Sequence, residues 1–226
     1  MSEKGPGNDY KSTWNQLASD RQGALFYVSG YDDEFKAWSD TEDQMELLRA
    51  TVGIGPDDVY LEIGCGVGRI GRMLAPFVKE WVGCDVSAKM LEFARRRTLG
   101  LSNVRLQEIS GYDLKPIPDA SIDVVYSMVV FMHLDEWDRY NYVLEAMRVL
   151  KPGGRFYCDN ANIDDDLGWQ IFEGVRTNFP AGERPAHASR CSSVPEIQTF
   201  LRRAGFIDCH VATRPVWVYG LGRKPL

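Results

Sequence analysis

Val59-Tyr60-Leu61-Glu62-Ile63-Gly64-Cys65-Gly66-Val67-Gly68-Arg69 is an apolar run that ends in a glycine turn. Glu62 sits near its end, and Gly64, Gly66 and Gly68 alternate after it. A helical pattern follows at once, from Gly68 to Val78. A buried strand that feeds a glycine turn into a helix start is a cradle for a nucleotide cofactor. Glycine lets the backbone turn sharply and lets a ligand lie against bare main chain.

The same alternation of strand and helix continues outward. Trp81 to Cys84 reads as a second strand with Asp85 at its end, and Ser87 caps a helix carrying Met90, Leu91 and Ala94. Val104 to Leu106 falls in a third strand and Val124 to Tyr126 in a fourth. A helix over about Asp135 to Leu150 is stopped by Lys151-Pro152-Gly153-Gly154, and Arg155 to Cys158 is a fifth strand. Thr41-Glu42-Asp43-Gln44 and Ser193-Val194-Pro195-Glu196 read as capping boxes opening helices. Two strands, near Ile207 to Ala212 and Val216 to Leu221, follow each other too closely for a helical crossover and pair antiparallel at a sheet edge. The fold class expected is α/β: a doubly wound, seven-stranded, mostly parallel, Rossmann-like sheet with a C-terminal antiparallel edge hairpin. Residues around Ser12 to Asp40 hold Trp14, Tyr27, Tyr31 and Trp38 without a clean period, and read as one or two short helices forming a lid. The division is then a tail and lid over residues 1–40 and a cofactor domain over 41–226.

The chain has 226 residues, enough for one full core. Its net charge of −6 disfavours a nucleic-acid partner, which needs a basic face. No segment is apolar for long enough to span a bilayer, and the polar start Met1 to Gly7 lacks the apolar region of a secretory signal. The five cysteines are scattered and never spaced Cys-x-x-Cys, so no metal site is expected and a reducing cytoplasm fits. Residues 1 to about 10 read as disordered.

The choice of nucleotide needs more than the turn. Gly66-Val67-Gly68-Arg69-Ile70-Gly71 matches the dinucleotide fingerprint only in a shifted register. Asp85 lies about 20 residues beyond the turn, where a carboxylate accepts hydrogen bonds from a ribose. NAD and S-adenosylmethionine share that ribose, so Asp85 alone does not separate them.

Five blocks taken in order do. They are Leu61 to Gly68, Val82-Gly83-Cys84-Asp85-Val86-Ser87 with Met90-Leu91, and Pro118 to Ser127, then Phe131-Met132-His133-Leu134 and Leu150 to Arg155. Over roughly Thr41 to Lys224 the chain resembles the class I S-adenosylmethionine-dependent methyltransferases, especially small members acting on small molecules. The resemblance implies S-adenosyl-L-methionine as cofactor and S-adenosyl-L-homocysteine as product. It places Gly64, Gly66 and Gly68 against the methionyl and ribose part, with Glu62 just below. It gives Asp85 the ribose hydroxyls and sets Val86 and Met90 beside the adenine. Ser110-Gly111-Tyr112 meets the adenine edge, with Ser110 where many relatives carry aspartate, and Ser127 and Met128 flank the methionine moiety.

Methyl transfer from a sulfonium is an in-line displacement with a neutral leaving group, so catalytic residues leave fainter marks than cofactor residues. A base is required only where the acceptor must lose a proton. His133, after strand four, is the base candidate, with a helix-entry histidine bonded to backbone as the alternative. Tyr27, Tyr31, Asn160 and His187 are the other candidates for contact with a small-molecule acceptor. Trp38, Trp169 and Phe172 are further candidate pocket walls, or plain packing. An NAD(P)-dependent oxidoreductase and a non-catalytic cofactor-binding module are the alternatives. The Tyr-x-x-x-Lys pair expected of the first is absent. Acceptor, methylated atom and oligomeric state are not legible.

Overall fold

The computed structural model describes residues 9–31 and 33–226. Among them a seven-stranded sheet runs in the order β3-β2-β1-β4-β5-β7-β6. Its strands are β1 (Val59–Ile63), β2 (Glu80–Asp85), β3 (Val104–Glu108), β4 (Ile122–Ser127), β5 (Leu150–Ala161), β6 (Ile207–Arg214) and β7 (Trp217–Arg223). The first five pair in parallel. β7 runs antiparallel between β5 and β6 and closes the expected edge hairpin.

All of β1 is buried, because a parallel strand is covered on both faces. Leu61 and Ile63 join Val82, Val125 and Phe156 in one core layer, while Tyr60, Trp81, Val124 and Tyr126 build the other. The helices over these layers are α4 (Arg69–Leu74), α5 (Ala88–Arg97), α6 (Glu136–Val149) and α8 (Val194–Ala204), with α7 (Asp166–Asn178) inserted after β5. Ser87 caps α5 as read, accepting from Met90 N at 3.2 Å. Asp123 Oδ2 accepts from Val59 N at 2.9 Å and pairs with Lys151 at 2.7 Å, so it fixes strand starts.

The N-terminal region is more helical than its sequence pattern shows. It contains α1 (Tyr10–Leu17), α2 (Arg21–Ser29) and α3 (Glu34–Thr51). The tail expected to lack structure lies outside the described residues up to residue 8, but Asp9 caps α1 by accepting from Ser12 N at 2.9 Å. Asp33 caps α3 by accepting from Lys36 N, so the helix runs unbroken through 40/41. Thr41 is therefore not a cap. It is buried inside α3 and donates to Ala37 O at 2.7 Å. Ser193 is the N-cap of α8, as read, but makes no side-chain cap bond, and Glu196 is drawn to Arg139 at 3.1 Å rather than back to Ser193. β5 begins at Leu150, directly after α6, so Lys151 to Gly154 is strand rather than loop.

Several contacts hold these N-terminal helices to the rest of the chain. Tyr10 donates to Asp138 Oδ2 at 2.8 Å. Asn15 Oδ1 accepts from Ser87 Oγ at 2.9 Å. Ala18, Ala24, Leu25 and Ala37 pack with Val67 and Met90. Together they seat the lid helices over the carboxyl end of the sheet.

Candidate functional site

Strand order reverses between β1 and β4, and in an open α/β sheet a ligand crevice lies at the carboxyl ends there. Gly64 N and Cys65 N donate to Cys84 O at 2.8 and 2.9 Å, bending the chain back over β2. Gly64 (φ 74°) and Gly66 (φ 50°) are left-handed. A Cβ on Gly64 would lie 2.4 Å from Val130 Cγ2, and one on Gly66 2.7 Å from Val28 Cγ1. No side chain fits at either position beside Val130 and Val28, whose side chains pack directly on the backbone of the turn. Gly68 does different work: it is the left-handed N-cap of α4, packs on Ala94 and does not line the cavity.

Asp85 closes the turn from the other side. Its Oδ2 accepts from Gly66 N and its Oδ1 from Ser87 N, both at 2.8 Å. Each carboxylate oxygen keeps one further lone pair. Burial raises the Asp85 pKa to about 6 from the ordinary 3.8, against the backbone hydrogen bonds that pull it down. A cavity of about 660 Å³, including its open mouth, lies over this turn. Gly64, Gly66, Asp85, Val86, Met90 and Gly111 line it, joined by Ile109 and by Tyr10, Trp14 and Tyr27 from the lid.

Behind Gly64, Val28 and Met128 lies a second, smaller space of about 290 Å³. Glu62, Gln44 and Arg69 line it. Glu62 Oε2 accepts from Tyr126 OH at 2.6 Å and Trp81 Nε1 at 3.2 Å, and burial raises its pKa to about 8. Gln44 Oε1 is buried without a partner. An orphaned acceptor beside Glu62 suits an ammonium donor, whose positive charge would favour the carboxylate form of Glu62. Neither Gln44 nor Arg69 stands out in the sequence. Arg69 donates to Val28 O at 3.1 Å, Ala37 O at 2.9 Å and Thr41 Oγ1 at 2.5 Å, so the residue after the turn ties both α2 and α3 to it.

A turn without room for side chains, the buried Asp85 beside it and a recess that holds the acceptors Glu62 and Gln44 fit an adenosyl amino acid. Residues 61–158, from β1 through most of β5, match the family model described as a methyltransferase domain. A probable S-adenosylmethionine-dependent methyltransferase of Mycolicibacterium smegmatis is 35% identical over 152 residues, 65% of this chain and 51% of that protein. Over these residues the chain is similar to S-adenosylmethionine-dependent methyltransferases. Phosphoethanolamine N-methyltransferase 1 of Arabidopsis thaliana is 31% identical over 141 residues, covering 60% of this chain and 28% of that one. The chain thus spans about half the length of the first relative and less of the second. Among solved structures, the DhpI–SAH complex shares the fold with a TM-score of 0.66 at 22% identity, over 94% of this chain and 97% of the other.

Several residues that the methyltransferase resemblance pointed to stand elsewhere. Ser110 Oγ accepts from Tyr112 N and Asp113 N, both at 3.0 Å, in a local turn. Ser110 and Tyr112 are outside the cavity lining, while Ile109 and Gly111 are within it. Ser127 is buried at the end of β4, and its Oγ has no partner. Asn160 is buried and spent: Nδ2 donates to Ser192 Oγ at 2.7 Å and Oδ1 accepts from Ala161 N at 2.8 Å. Tyr31 and Trp38 are partly exposed and line neither the cofactor cavity nor the space beyond it. Trp169 and Phe172 pack on each other with ring centroids 5.2 Å apart, and Ile171 of α7 faces the site instead.

His133 does line the cavity, from a single 3₁₀ turn over Phe131–His133. Its Nδ1 lies 2.8 Å from His187 O. A carbonyl only accepts, so Nδ1 carries the proton and Nε2 is the free basic nitrogen. Burial lowers the His133 pKa to about 4, and the ring stays neutral at physiological pH. His187 contributes this carbonyl, and its ring lies 6.2 Å from Tyr27 with Nδ1 buried and unpartnered. Val129 sits between Met128 and these residues with φ 60°, a costly value for a β-branched residue. Asp159 holds it there by accepting from Val129 N at 2.7 Å.

The raised Asp85 pKa sets a pH dependence. Ribose hydroxyls held at Asp85 would donate to the carboxylate, so S-adenosylhomocysteine affinity is expected to be level above pH ~7 and to fall as pH drops through about 6. The ligand-free chain responds in the opposite direction. A carboxyl whose folded pKa lies above its unfolded value favours the fold increasingly as pH falls from about 6 toward 3.8. Calorimetric titrations between pH 5 and 8 read the first effect, and an affinity that rises on acidification contradicts it.

Proposed function

We propose that this chain transfers the methyl group of S-adenosylmethionine to a small organic acceptor, at oxygen, nitrogen or carbon. One observation carries the reading. The cavity over the Gly64–Gly66 turn shares Tyr27, Val28, Val129 and His133 with a larger space beyond. A cofactor chamber and an acceptor chamber that meet at one junction are what in-line transfer requires.

Gly64 and Gly66 would support the methionyl and ribose part, Asp85 the ribose hydroxyls, and Glu62 with Gln44 the amino group. Val86, Met90, Ile109 and Gly111 would enclose the adenine. Bound there, the sulfonium supplies an activated methyl and leaves as a neutral thioether. The protein's share is alignment, exclusion of water by the lid, and removal of an acceptor proton where the acceptor carries one. His133 Nε2 would take that proton. The first relative's name and the phosphoethanolamine in the second's support a methyl transferred to a small molecule. A cytoplasmic location belongs to the same reading, supported by five unpaired cysteines. Among the described residues no helix is long and apolar enough to cross a membrane.

Calorimetry with S-adenosylhomocysteine and, separately, NADH tests the reading, followed by a labelled-methyl screen of small acceptors. Saturable binding of the first compound and a labelled product are expected. NADH binding in its place, or cofactor binding with no transfer to any acceptor, contradicts it.

A further inference from the structure

Beyond Val129 the cleft opens into a chamber of about 1090 Å³, including its mouth. Its charged walls differ in sign. Asp40 and Asp43 face it from α3, and Arg214, the last residue of β6, faces it from the hairpin. The two signs are not equally available. Asp40 is answered by Arg69 at 3.3 Å, and Asp43 is exposed and keeps its hydration. Arg214 is partly buried over the Trp217 ring, 5.6 Å from its centroid, and among the described residues its ionic partner is Asp159 at a long 3.5 Å. Its Nε is buried without a partner. A guanidinium has five donors, and leaving them unmet away from water is costly.

We propose that Arg214 anchors an anionic group, carboxylate or phosphate, on the methyl acceptor. The apolar body of the acceptor then packs among Trp217, Ile171 and Tyr27, and its reactive atom reaches the junction at Val129 and His133. Planar bidentate pairing is what arginine offers such groups. The anchor is also wired to the junction, because Asp159 touches both Arg214 and Val129 N. The proposal rests on the methyl-transfer reading and names its substrate class.

The test uses the full chain saturated with S-adenosylhomocysteine and three probes of one ring each: benzoate, phenyl phosphate and benzylamine. Calorimetry or ligand-observed NMR reads the affinities. At least one anion is expected to bind, in preference to benzylamine, and the two anion arms separate carboxylate from phosphate. Arg214→Gln is expected to weaken the anion about tenfold or more, and Arg214→Lys several-fold, with S-adenosylhomocysteine affinity unchanged in both. Arg214→Gln leaves Asp159 without its cation, so Tm is recorded alongside. Should that variant not fold, Arg214→Lys, which keeps the charge but not the fork, decides. Tighter benzylamine binding, no anion binding to the unaltered chain, or anion affinity indifferent to a folded Arg214 variant overturns the anchor. Loss of S-adenosylhomocysteine binding by the unaltered chain counts against methyl transfer instead.

Discussion

His133→Ala is expected to lower turnover by roughly 10²–10⁴ for an acceptor that loses a proton, with S-adenosylhomocysteine affinity unchanged. The reason is the tautomer. His187 O occupies the Nδ1 proton, which leaves a neutral Nε2 at the junction of the two chambers. Burial holds the conjugate acid near pKa 4, so the histidine is ready to accept at any physiological pH but is a weak base. Proton removal would then coincide with methyl transfer, when the acceptor proton is most acidic. A second variant separates this role from that of a strut. His133→Asn can still donate to His187 O but has no basic nitrogen. The base reading predicts that Asn is nearly as slow as Ala for an O–H or N–H acceptor. Near-normal turnover in His133→Asn would leave His133 a positioning residue for the His187 segment. Activity is to be measured on the acceptor recovered from the labelled-methyl screen.

Asp85→Ala is expected to weaken S-adenosylhomocysteine on the order of 10–100-fold, by loss of about 1–3 kcal/mol in charged hydrogen bonds. Two effects add. The ribose hydroxyls lose their acceptor, and Gly66 N and Ser87 N, both held by the carboxylate at 2.8 Å, are set free around the turn. Asp85→Asn tests the same site with less change in shape. Its NH₂ group would face one of the two backbone donors, so it is expected to rescue only in part. Undiminished affinity in Asp85→Ala would remove Asp85 from the ribose site. Fold stability is expected to change less than affinity, because the buried charge is itself unfavourable, as its pKa of about 6 shows.

The cofactor half of the site was far more legible than the acceptor half. A glycine turn after a buried strand, and a carboxylate one strand later, are contiguous signals whose geometry follows from local chain rules. The strands were legible for the same reason, as was the edge hairpin. The helix start near Thr41 was misread, whereas the one at Ser193 was read correctly and lacks only its side-chain cap bond, because a capping pattern records what a side chain can reach, not what competes for it. Asp33 opens α3 a full two turns earlier, and Arg139 draws Glu196 away. Arg69, Gln44 and Arg214 carried no pattern that marked them as cleft residues. Each acts across elements far apart in the chain, and only the folded sheet brings it to the cleft. Asn160 and Tyr31 show the converse. Both lie near the ligand end of the sheet, yet one is consumed by Ser192 and its own backbone and the other lies outside the cleft lining. The strain at Val129 is invisible in sequence, since nothing but tertiary structure forces valine to φ 60°.

A crystal structure of the full chain with S-adenosylhomocysteine tests the central claim most directly. The ribose hydroxyls are expected within hydrogen-bond distance of the Asp85 carboxylate, with the amino-acid end running past Gly64 toward Glu62 and Gln44. Density for the compound at any other place, or a turn still covered by Val28 and Val130 at saturating ligand, would contradict it.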